Sequence, residues 1–305
     1  MPAGAGAATV AWAPESSYLG GLVGTPTYRL PGTNTQVQTA ELSRNQARID
    51  VPDSPEADRY LAQNFRGQLG VQFALADDEF HRLVFNDGYT GFDASEPNSA
   101  EWFLGADLTS GTTIERNPQG WVPGSCSIDY NGTTELVTVT LTGPYGDETE
   151  NSSLTPGVVT DPTDDEVPGH GAELKIAGTR VTKLNSASIS LDNLTTLIPD
   201  SNTPQPVDAV PANVEESITL SAIYDGPDLY EYALGSAGAS SVEDTQTGVP
   251  ATVTFSDGSG TVAEYSFGEV KPNSYDWADL VNGDAALGED VTFNATGITA
   301  SDPTA

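Results

Sequence analysis

The sequence predicts an all-β protein made of two tandem modules, each with one short helix. Segments such as 136–142 and 251–255 alternate apolar and polar residues, which is the period of a strand with one buried face. Glycine (31) and proline (21) are frequent, and both favour short strands and turns over long helices. A long segment of the first half also aligns with the second half without a gap, which predicts that the modules repeat.

Local signals place a few elements. Residues 257–260 read Asp-Gly-Ser-Gly and predict a hairpin turn between two strands. Two short helices are predicted, one at 77–85 with Asp77 as its N-cap and one at 227–234. Gly235 follows the second helix and predicts its end, because glycine readily adopts the conformation that stops a helix.

The repeat rests on two matches within the chain. A shift of 149 residues lays the segment 40–85 on 189–234, with the shared order strand, loop, strand, short helix. A second match lays 135–143 on 289–297 near the end of each half. These matches predict a duplication, and the alternative is that any two β-domains look alike at this level.

Composition predicts the module boundaries. Residues 1–148 are the first module and residues 172–305 the second. The stretch 149–171 between them is rich in Gly, Pro, Asp, Glu and Thr and has few apolar residues. It predicts a solvated acidic linker or a long exposed loop.

The charge balance is extreme. Asp and Glu number 44 against 11 for Lys and Arg, so the net charge is −33. At low ionic strength this like charge opposes compaction, whereas at about 1 M salt a Debye length of about 3 Å screens most of it. We therefore expect a protein of a halophilic cytoplasm or brine. The sequence has no run of Lys and Arg, which argues against nucleic-acid binding through a basic patch.

Residues that carry catalytic or metal chemistry are scarce. Two histidines, His81 and His170, and one cysteine, Cys126, are too few for a zinc site. We expect His81 to be a packed or surface histidine and Cys126 to be a buried, inert thiol. Serine-hydrolase and phosphate-loop motifs do not occur. We expect no enzyme, cofactor or metal. A calcium site is the alternative, without EF-hand spacing, at Asp161, Asp164, Asp165 and Glu166.

Three segments resemble one protein family. Residues 9–20, which read TVAWAPESSYLG, are similar to the opening of tail tube (major tail) proteins of long-tailed phages and haloarchaeal tailed viruses. Residues 172–191 resemble the paired strands of that family, the second of which lines the tube. Residues 206–220 resemble its loop and returning strand. The opening departs from the family pattern by inserting Leu19 between Tyr18 and Gly20, which leaves the start of the fold open to an offset.

The resemblance implies β-sandwich or half-barrel tail tube modules and a structural virion protein. Its rings would stack into the channel through which viral DNA passes without specific binding. The implied partners are other copies of the chain in a trimer with pseudo-sixfold symmetry, and the terminator, baseplate and tape measure proteins. The implied location is the virion tail after synthesis in the host cytoplasm, and we expect neither a secretory signal at 1–8 nor a membrane span.

The channel lining can be predicted residue by residue. The inner strands are expected near 37–49, 66–76, 183–195 and 215–225, which gives twelve strands in a trimer. Their polar sides would face the channel, although an ordinary solvent-facing side would carry the same residues. The lumen-facing candidates are Glu41, Ser43, Asn45, Gln68, Gln72, Ser188, Ser190, Asp192, Ser217 and Ser221.

Two other functions fit parts of this pattern. A secreted or surface-layer Ig-like adhesion module of a halophilic archaeon would share the acidity and the strands. A carbohydrate-active enzyme would use a carboxylate pair, but so many acids are present that a pair carries no information.

Overall fold

The computed structural model describes residues 8–50, 52, 56–107, 113–132, 135–151, 159–281 and 286–301. Residues 1–7 and 152–158, which belong to the predicted opening and linker, lie outside the described residues. The all-β prediction is confirmed. The elements are β1 (Ala8–Pro14), β2 (Thr33–Asp50), β3 (Ala57–Ala74), α1 (His81–Val84), β4 (Ala100–Asp107), β5 (Thr113–Gln119), β6 (Ser125–Asn131), β7 (Thr138–Tyr145), β8 (Asp147–Asn151), β9 (Ala172–Ile176), β10 (Thr179–Arg180), β11 (Leu184–Asp192), β12 (Thr195–Pro199), β13 (Pro206–Pro211), β14 (Glu215–Ile223), α2 (Asp228–Leu234), β15 (Val249–Ser256), β16 (Thr261–Ala278) and β17 (Gly288–Ala300).

One large sheet runs through both halves of the chain. Its strand order is β10-β9-β15-β16-β17-β14-β11-β6-β7-β3-β2, with antiparallel neighbours. A four-stranded sheet, β1-β4-β5-β8, lies in the first half, and β12 pairs with β13. The two halves therefore share a sheet, joined where β6 pairs with β11.

The same strand order occurs twice in this sheet. The first half contributes β2-β3-β7-β6, and the second contributes β11-β14-β17-β16. The pairing register also repeats, because Ala40 pairs with Leu69 and, 149 residues later, Ile189 pairs with Ile218. We call residues related by this shift counterparts.

The second predicted match is displaced. In the sheet, Leu69 pairs with Gly143. Its counterpart Ile218 pairs with Phe293. Gly143 therefore corresponds to Phe293, four residues before the predicted Gly297. A displacement by an even number leaves the same side chains on the same face, so alternation alone could not detect it.

One face of the large sheet carries an apolar row across the junction of the halves. These side chains pair strand by strand and are at most 1% exposed, and burying each one contributes about 1.5–3 kcal/mol. The row consists of Phe73, Val139, Ile128, Ile189, Ile218 and Phe293. The core therefore continues through the junction without a gap.

The outer ends of the two long hairpins differ. In the first half, β2 and β3 continue into residues 45–50 and 56–62, which we call the first arm. In the second half, residues 194–211 form the separate pair β12–β13, which we call the second arm. The second arm lies against the first half, where the Leu194 N–H donates to the Gly124 carbonyl at 3.0 Å.

The described part of the predicted linker is a largely exposed loop that lies against the first half. β8 crosses the predicted boundary at 148 and pairs with β5. Val167 is fully buried, and its backbone bonds both Leu75 and Val137. Thr160 bonds the backbone of Tyr28. Backbone pairing holds residues 159–171 as a loop against the first half, despite their polar composition.

The predicted helices are shorter than expected, and their caps differ. α1 begins only at His81, and Asp77 instead accepts a hydrogen bond from the Glu79 N–H in the preceding turn, at 3.2 Å. α2 ends at Gly235 as predicted, with φ of 150°. The turn at 257–260 is also confirmed, because the Asp257 carboxylate accepts bonds from two backbone N–H groups within it.

Candidate functional site

The face of the large sheet opposite the apolar core forms an unbroken polar surface, which we call the polar face. One register row crosses eight strands, and every position in it is polar. In order across the sheet, the row is Gln36, Gln72, Thr140, Ser127, Ser190, Ser217, Asn294 and Lys271. The face crosses the junction of the halves as smoothly as the core does.

Short hydroxyl and amide side chains dominate the polar face and bond one another. Gln72 donates to Thr140 at 3.4 Å. At the junction, Ser188 of β11 donates to Asp129 of β6 at 2.7 Å. Thr219 and Thr292 lie 3.4 Å apart on the neighbouring strands. Such cross-strand hydroxyl pairs contribute a few tenths of a kcal/mol up to about 1 kcal/mol each.

Nine of the ten predicted lumen-facing residues lie on the polar face. Asn45 lies at the irregularity between Arg44 and Gln46, where the register shifts. With Glu41 and Ser43 it lines a groove of about 590 Å³ beside the second arm. The nine are Glu41, Ser43, Gln68, Gln72, Ser188, Ser190, Asp192, Ser217 and Ser221.

Other residues of the polar face are not among the predicted lumen-facing residues. The alternation at 136–142 predicts a strand, but it does not show that the hydroxyl side of this strand joins the polar face. Because β7 lies between β3 and β6, its threonines belong to the centre of the face. The missed residues are Ser125, Ser127, Asp129, Thr138, Thr140, Thr142, Thr219, Asp290 and Thr292.

Charge on the polar face is mostly negative. On the eight strands of the row, outside the first arm, the bases on this face are Arg66 and Lys271, and Lys271 forms an ion pair with Glu269 at 2.5 Å. Carboxylates on the same strands and face include Glu41, Asp129, Asp192, Glu215, Glu269, Asp276 and Asp290. The face is therefore repulsive or neutral towards phosphate.

The hairpin of β2 and β3 also carries four arginines. Arg44 and Arg66 lie on opposite faces of it, because Arg44 pairs with Phe65 while Arg66 pairs with Ser43. Arg48 forms an ion pair with Asp50 at 2.6 Å, so part of this charge is neutralised locally. The hairpin arginines are Arg44, Arg48, Arg59 and Arg66.

The opening motif stabilises the place where β5 turns into β6. Glu15 is buried, and its carboxylate accepts bonds from the Ser99 hydroxyl and from the Gly120 N–H. Burial raises the pKa of Glu15 despite these bonds. Tyr18 packs on Val122. The motif that carried the family resemblance thus has a structural role in the first half.

A cluster of polar side chains on the core side of the sheet bonds the backbone of the edge strand β2. Gly67 has no side chain, so Tyr145 passes beneath β3 and donates to the carbonyl of Glu41 at 2.9 Å. Arg116 donates to the carbonyl of Ala40 at 3.0 Å and pairs with Glu148 at 2.5 Å. Burial would raise the pKa of Glu148, but the bonds from Arg116 and Tyr145 hold it below its ordinary value. β2 is therefore fixed as a strand.

The histidine and the cysteine are buried structural groups. His81 lies 2.6 Å from the Tyr265 hydroxyl and 3.0 Å from the Ser301 carbonyl, which ties α1 to the second half. Burial lowers the pKa of His81 to about 4, so it is neutral at pH 7. Cys126 is 1% exposed, and burial raises the pKa of its thiol.

The described ranges show neither a metal cluster nor a membrane-spanning helix. They contain no group of three or more His, Cys, Asp or Glu placed to hold a metal ion. None of their helices has the length and apolar character needed to cross a membrane.

Comparisons with known proteins find similarity only among solved structures. No family model matches the chain, and no curated protein matches it. Among solved structures, the chain is similar to the cryo-EM structure of the cap that terminates the tube of the anti-feeding prophage. The TM-score is 0.37 at 14% sequence identity, covering 48% of this chain and 99% of that chain. A similarity this low does not define the function of this chain.

Proposed function

We propose that the chain is a structural subunit of a viral tail tube, built from two duplicated modules and having no catalytic role. Copies would form stacked rings whose polar faces line a channel for DNA. The observation that carries this proposal is the unbroken polar row across eight strands. It runs from the edge strand β2 to the end of β16, which pairs only with β17 in the described part of the chain. A long open sheet is a liability for a monomer, and closing it into a ring removes the free edges.

The number of strands supports a channel of useful width. Three chains with eight strands each would supply twenty-four, twice the twelve expected from the sequence. With strands about 4.8 Å apart and tilted by about 40°, such a wall is about 48 Å across between backbones. Side chains reaching about 5 Å inward leave roughly 38 Å, enough for one DNA duplex.

A twelve-stranded wall would be too narrow for the same cargo. The same spacing and tilt give about 24 Å between backbones and roughly 14 Å after side chains. The four additional strands per chain, β6, β7, β16 and β17, are therefore what make a DNA channel possible in a trimer.

The charge of the polar face fits passing DNA. Hydroxyls and carboxylates offer no counterion to phosphate, so a duplex would move along the channel without being held. The net charge of −33 supports assembly and function at high salt, as in a virus of a halophilic host, where repulsion between copies is screened.

Electron microscopy combined with thiol labelling tests this proposal. At about 3 M salt, where screening is strong, the purified chain should form rings or tubes with a central channel. Ser190→Cys should then react with a small maleimide but not with a polymer-linked one. Val242→Cys is the matched control, because Val242 is 82% exposed in the loop after α2 and should react with both. The native Cys126 is buried and stays unlabelled.

Two results would contradict the proposal. The first is a chain that stays monomeric at every salt concentration. The second is an assembly in which Ser190→Cys reacts with the polymer-linked reagent as readily as Val242→Cys does, since the polar face would then be an outer surface.

A further inference from the structure

Within the large sheet, the two halves join at the strand pair β6 and β11. β6 pairs with β11, so Leu191 lies opposite Cys126 and Ile189 lies opposite Ile128. All four side chains are at most 1% exposed. On the other face of the same strands, Ser190 lies opposite Ser127.

The counterparts of these strands are the two free edges of the repeated sheet. Among the described residues, β2 pairs only with β3, and residues 271–278 of β16 pair only with β17. Cys126 pairs with Leu141 of β7, and its counterpart Tyr275 pairs with Val291 of β17. The shift of 149 residues therefore relates β6 to the end of β16.

Large apolar side chains are exposed at these two edges. Leu42 is 51% exposed, whereas its counterpart Leu191 is fully buried. Trp277 is 40% exposed, whereas its counterpart Ile128 is 1% exposed. Inside the chain, the apolar side chains of β6 and β11 bury each other. Their counterparts Leu42 and Trp277, at the two edges, are exposed.

We propose that the end of β16 in one copy pairs with β2 of the next copy in the register of the β6–β11 junction. This names the partner surface within the proposed function and rests on it. The residue pairs follow from the β6–β11 junction when 149 is added to each β6 number and subtracted from each β11 number. They are Leu42 with Tyr275, Glu41 with Asp276, Ala40 with Trp277 and Ser43 with Ser274.

Contacts within the chain hold both edges in place for the proposed pairing of β16 with β2. β2 is held extended by Arg116 and Tyr145, and each carbonyl that they bond keeps a second lone pair. Around β16, Trp277 forms an aromatic cluster with ring centroids 6.1 Å from those of Tyr224 and Tyr230. Leu42 would pack against this cluster, as Leu191 packs in the internal core.

The register has a consequence for salt dependence. It places Glu41 opposite Asp276 on the polar face, where the internal junction has Ser190 opposite Ser127. Like charges directly opposite each other destabilise strand pairing. The pairing of β6 with β11 therefore does not need salt, whereas the proposed pairing between copies requires salt to screen this repulsion.

The proposed pairing between copies also gives the exposed first arm a surface to lie on. The second arm leans from its own half onto the preceding half, at Gly124. The counterpart of Gly124 is Asn273, which lines an open groove of about 320 Å³ together with Lys271 and Glu269. The first arm would lie over this groove on the neighbouring copy.

Engineered disulfides test the register. The double variant Glu41→Cys with Asp276→Cys should form covalent ladders of chains at about 3 M salt under mild oxidation. The matched control is Glu41→Cys with Asp290→Cys. Asp290 pairs with Asp276 one strand further on, so its Cα would lie about 10 Å from that of Glu41, beyond disulfide reach. Ser43→Cys with Ser274→Cys provides a second pair if the first variant folds poorly.

Each outcome decides between the claims. A ladder in the first pair at least tenfold above the control supports the register. Tubes without a ladder, or with equal ladders, overturn the register and leave the proposed function standing. A ladder in small oligomers that never form tubes supports the register and removes the proposed function. A chain that stays monomeric at all salt concentrations removes both.

Discussion

The two arms share one pairing pattern but have different surroundings. In the first arm Ala47 pairs with Leu61, and in the second Thr196 pairs with Val210, 149 residues later on both strands. Yet Tyr60 is 59% exposed, while its counterpart Ala209 is 2% exposed. The local pattern thus sets strand pairing, and the neighbouring half decides whether the hairpin is packed or free.

One pair of counterparts follows this difference in surroundings. The second arm carries Leu197 next to the first half, where it packs beside Tyr18 and Val122. The counterpart of Leu197 in the first arm is Arg48, which is exposed. The first arm also exposes apolar side chains that a partner would cover, those of Tyr60 and Leu61. The comparison can be tested by changing counterparts in pairs.

The largest difference is expected for the leucines at the internal and free edges. Leu191→Ala should reduce the free energy of unfolding by about 3 kcal/mol, because it leaves a cavity in a fully buried site. Leu42→Ala should change it by less than about 0.5 kcal/mol, because this side chain is half exposed in the monomer. Urea unfolding of both variants below the salt concentration of assembly measures the difference. Equal losses would show that β2 is already covered in the monomer.

A smaller effect is expected for the arms. Ala209→Arg should destabilise the chain by about 2 kcal/mol and expose the amides of β12 and β13, because the larger side chain cannot fit against Tyr18 and Val122. Tyr60→Arg, at the counterpart position, should leave the monomer unchanged. Hydrogen exchange of the two arms checks this pair. Unchanged protection of β13 in Ala209→Arg would contradict the packing described for the second arm.

The contact of α1 with the second half predicts a pH effect. Burial raises the pKa of Asp78 to about 6, and its carboxylate accepts a bond from Ser301 at 2.7 Å. A raised folded-state pKa stabilises the fold below the unfolded value, and this contribution is lost as pH rises through about 6. Relative to wild type, Asp78→Asn should therefore gain on the order of 1 kcal/mol between about pH 5 and pH 7, after allowance for solvent screening.

The measurement for this prediction is the difference in unfolding free energy between the two proteins at each pH. His81 has a lowered pKa, so its own contribution is lost as pH falls from about 6.5 towards 4. His81 lies 3.9 Å from Asp78, so its contribution cancels in the difference only above about pH 5, where folded His81 is neutral in both proteins. A difference that stays flat with pH would show that Asp78 titrates normally.

The smallest effect concerns charge at the free edges. Glu41→Gln with Asp276→Asn should lower the salt concentration needed for assembly, because a like-charge pair costs roughly 0.2–1 kcal/mol. Glu173→Gln with Asp244→Asn removes the same charge away from these edges and is the control. Light scattering across a salt series measures the midpoint of assembly. An equal shift in both variants would mean that only net charge matters.

Much of the fold was predictable because strands alternate with a period of two. The alternation placed nine of the ten predicted lumen-facing residues on one face, and Asn45, at a register shift, lines the same groove as Glu41 and Ser43. The turn at 257–260 and the end of α2 at Gly235 followed from residues whose local chemistry sets the conformation. These features depend on neighbours in sequence, so the sequence by itself determined them.

The tertiary structure decided what depends on partners far along the chain. The four-residue displacement of β17 and the backbone contacts that hold 159–171 against the first half both depend on such partners. Alternation fixes which face a side chain takes but not which residue it meets, because every even shift preserves the face. The contrast between buried Leu191 and exposed Leu42, two leucines in matching sequence positions, appears only once the neighbouring strands are known.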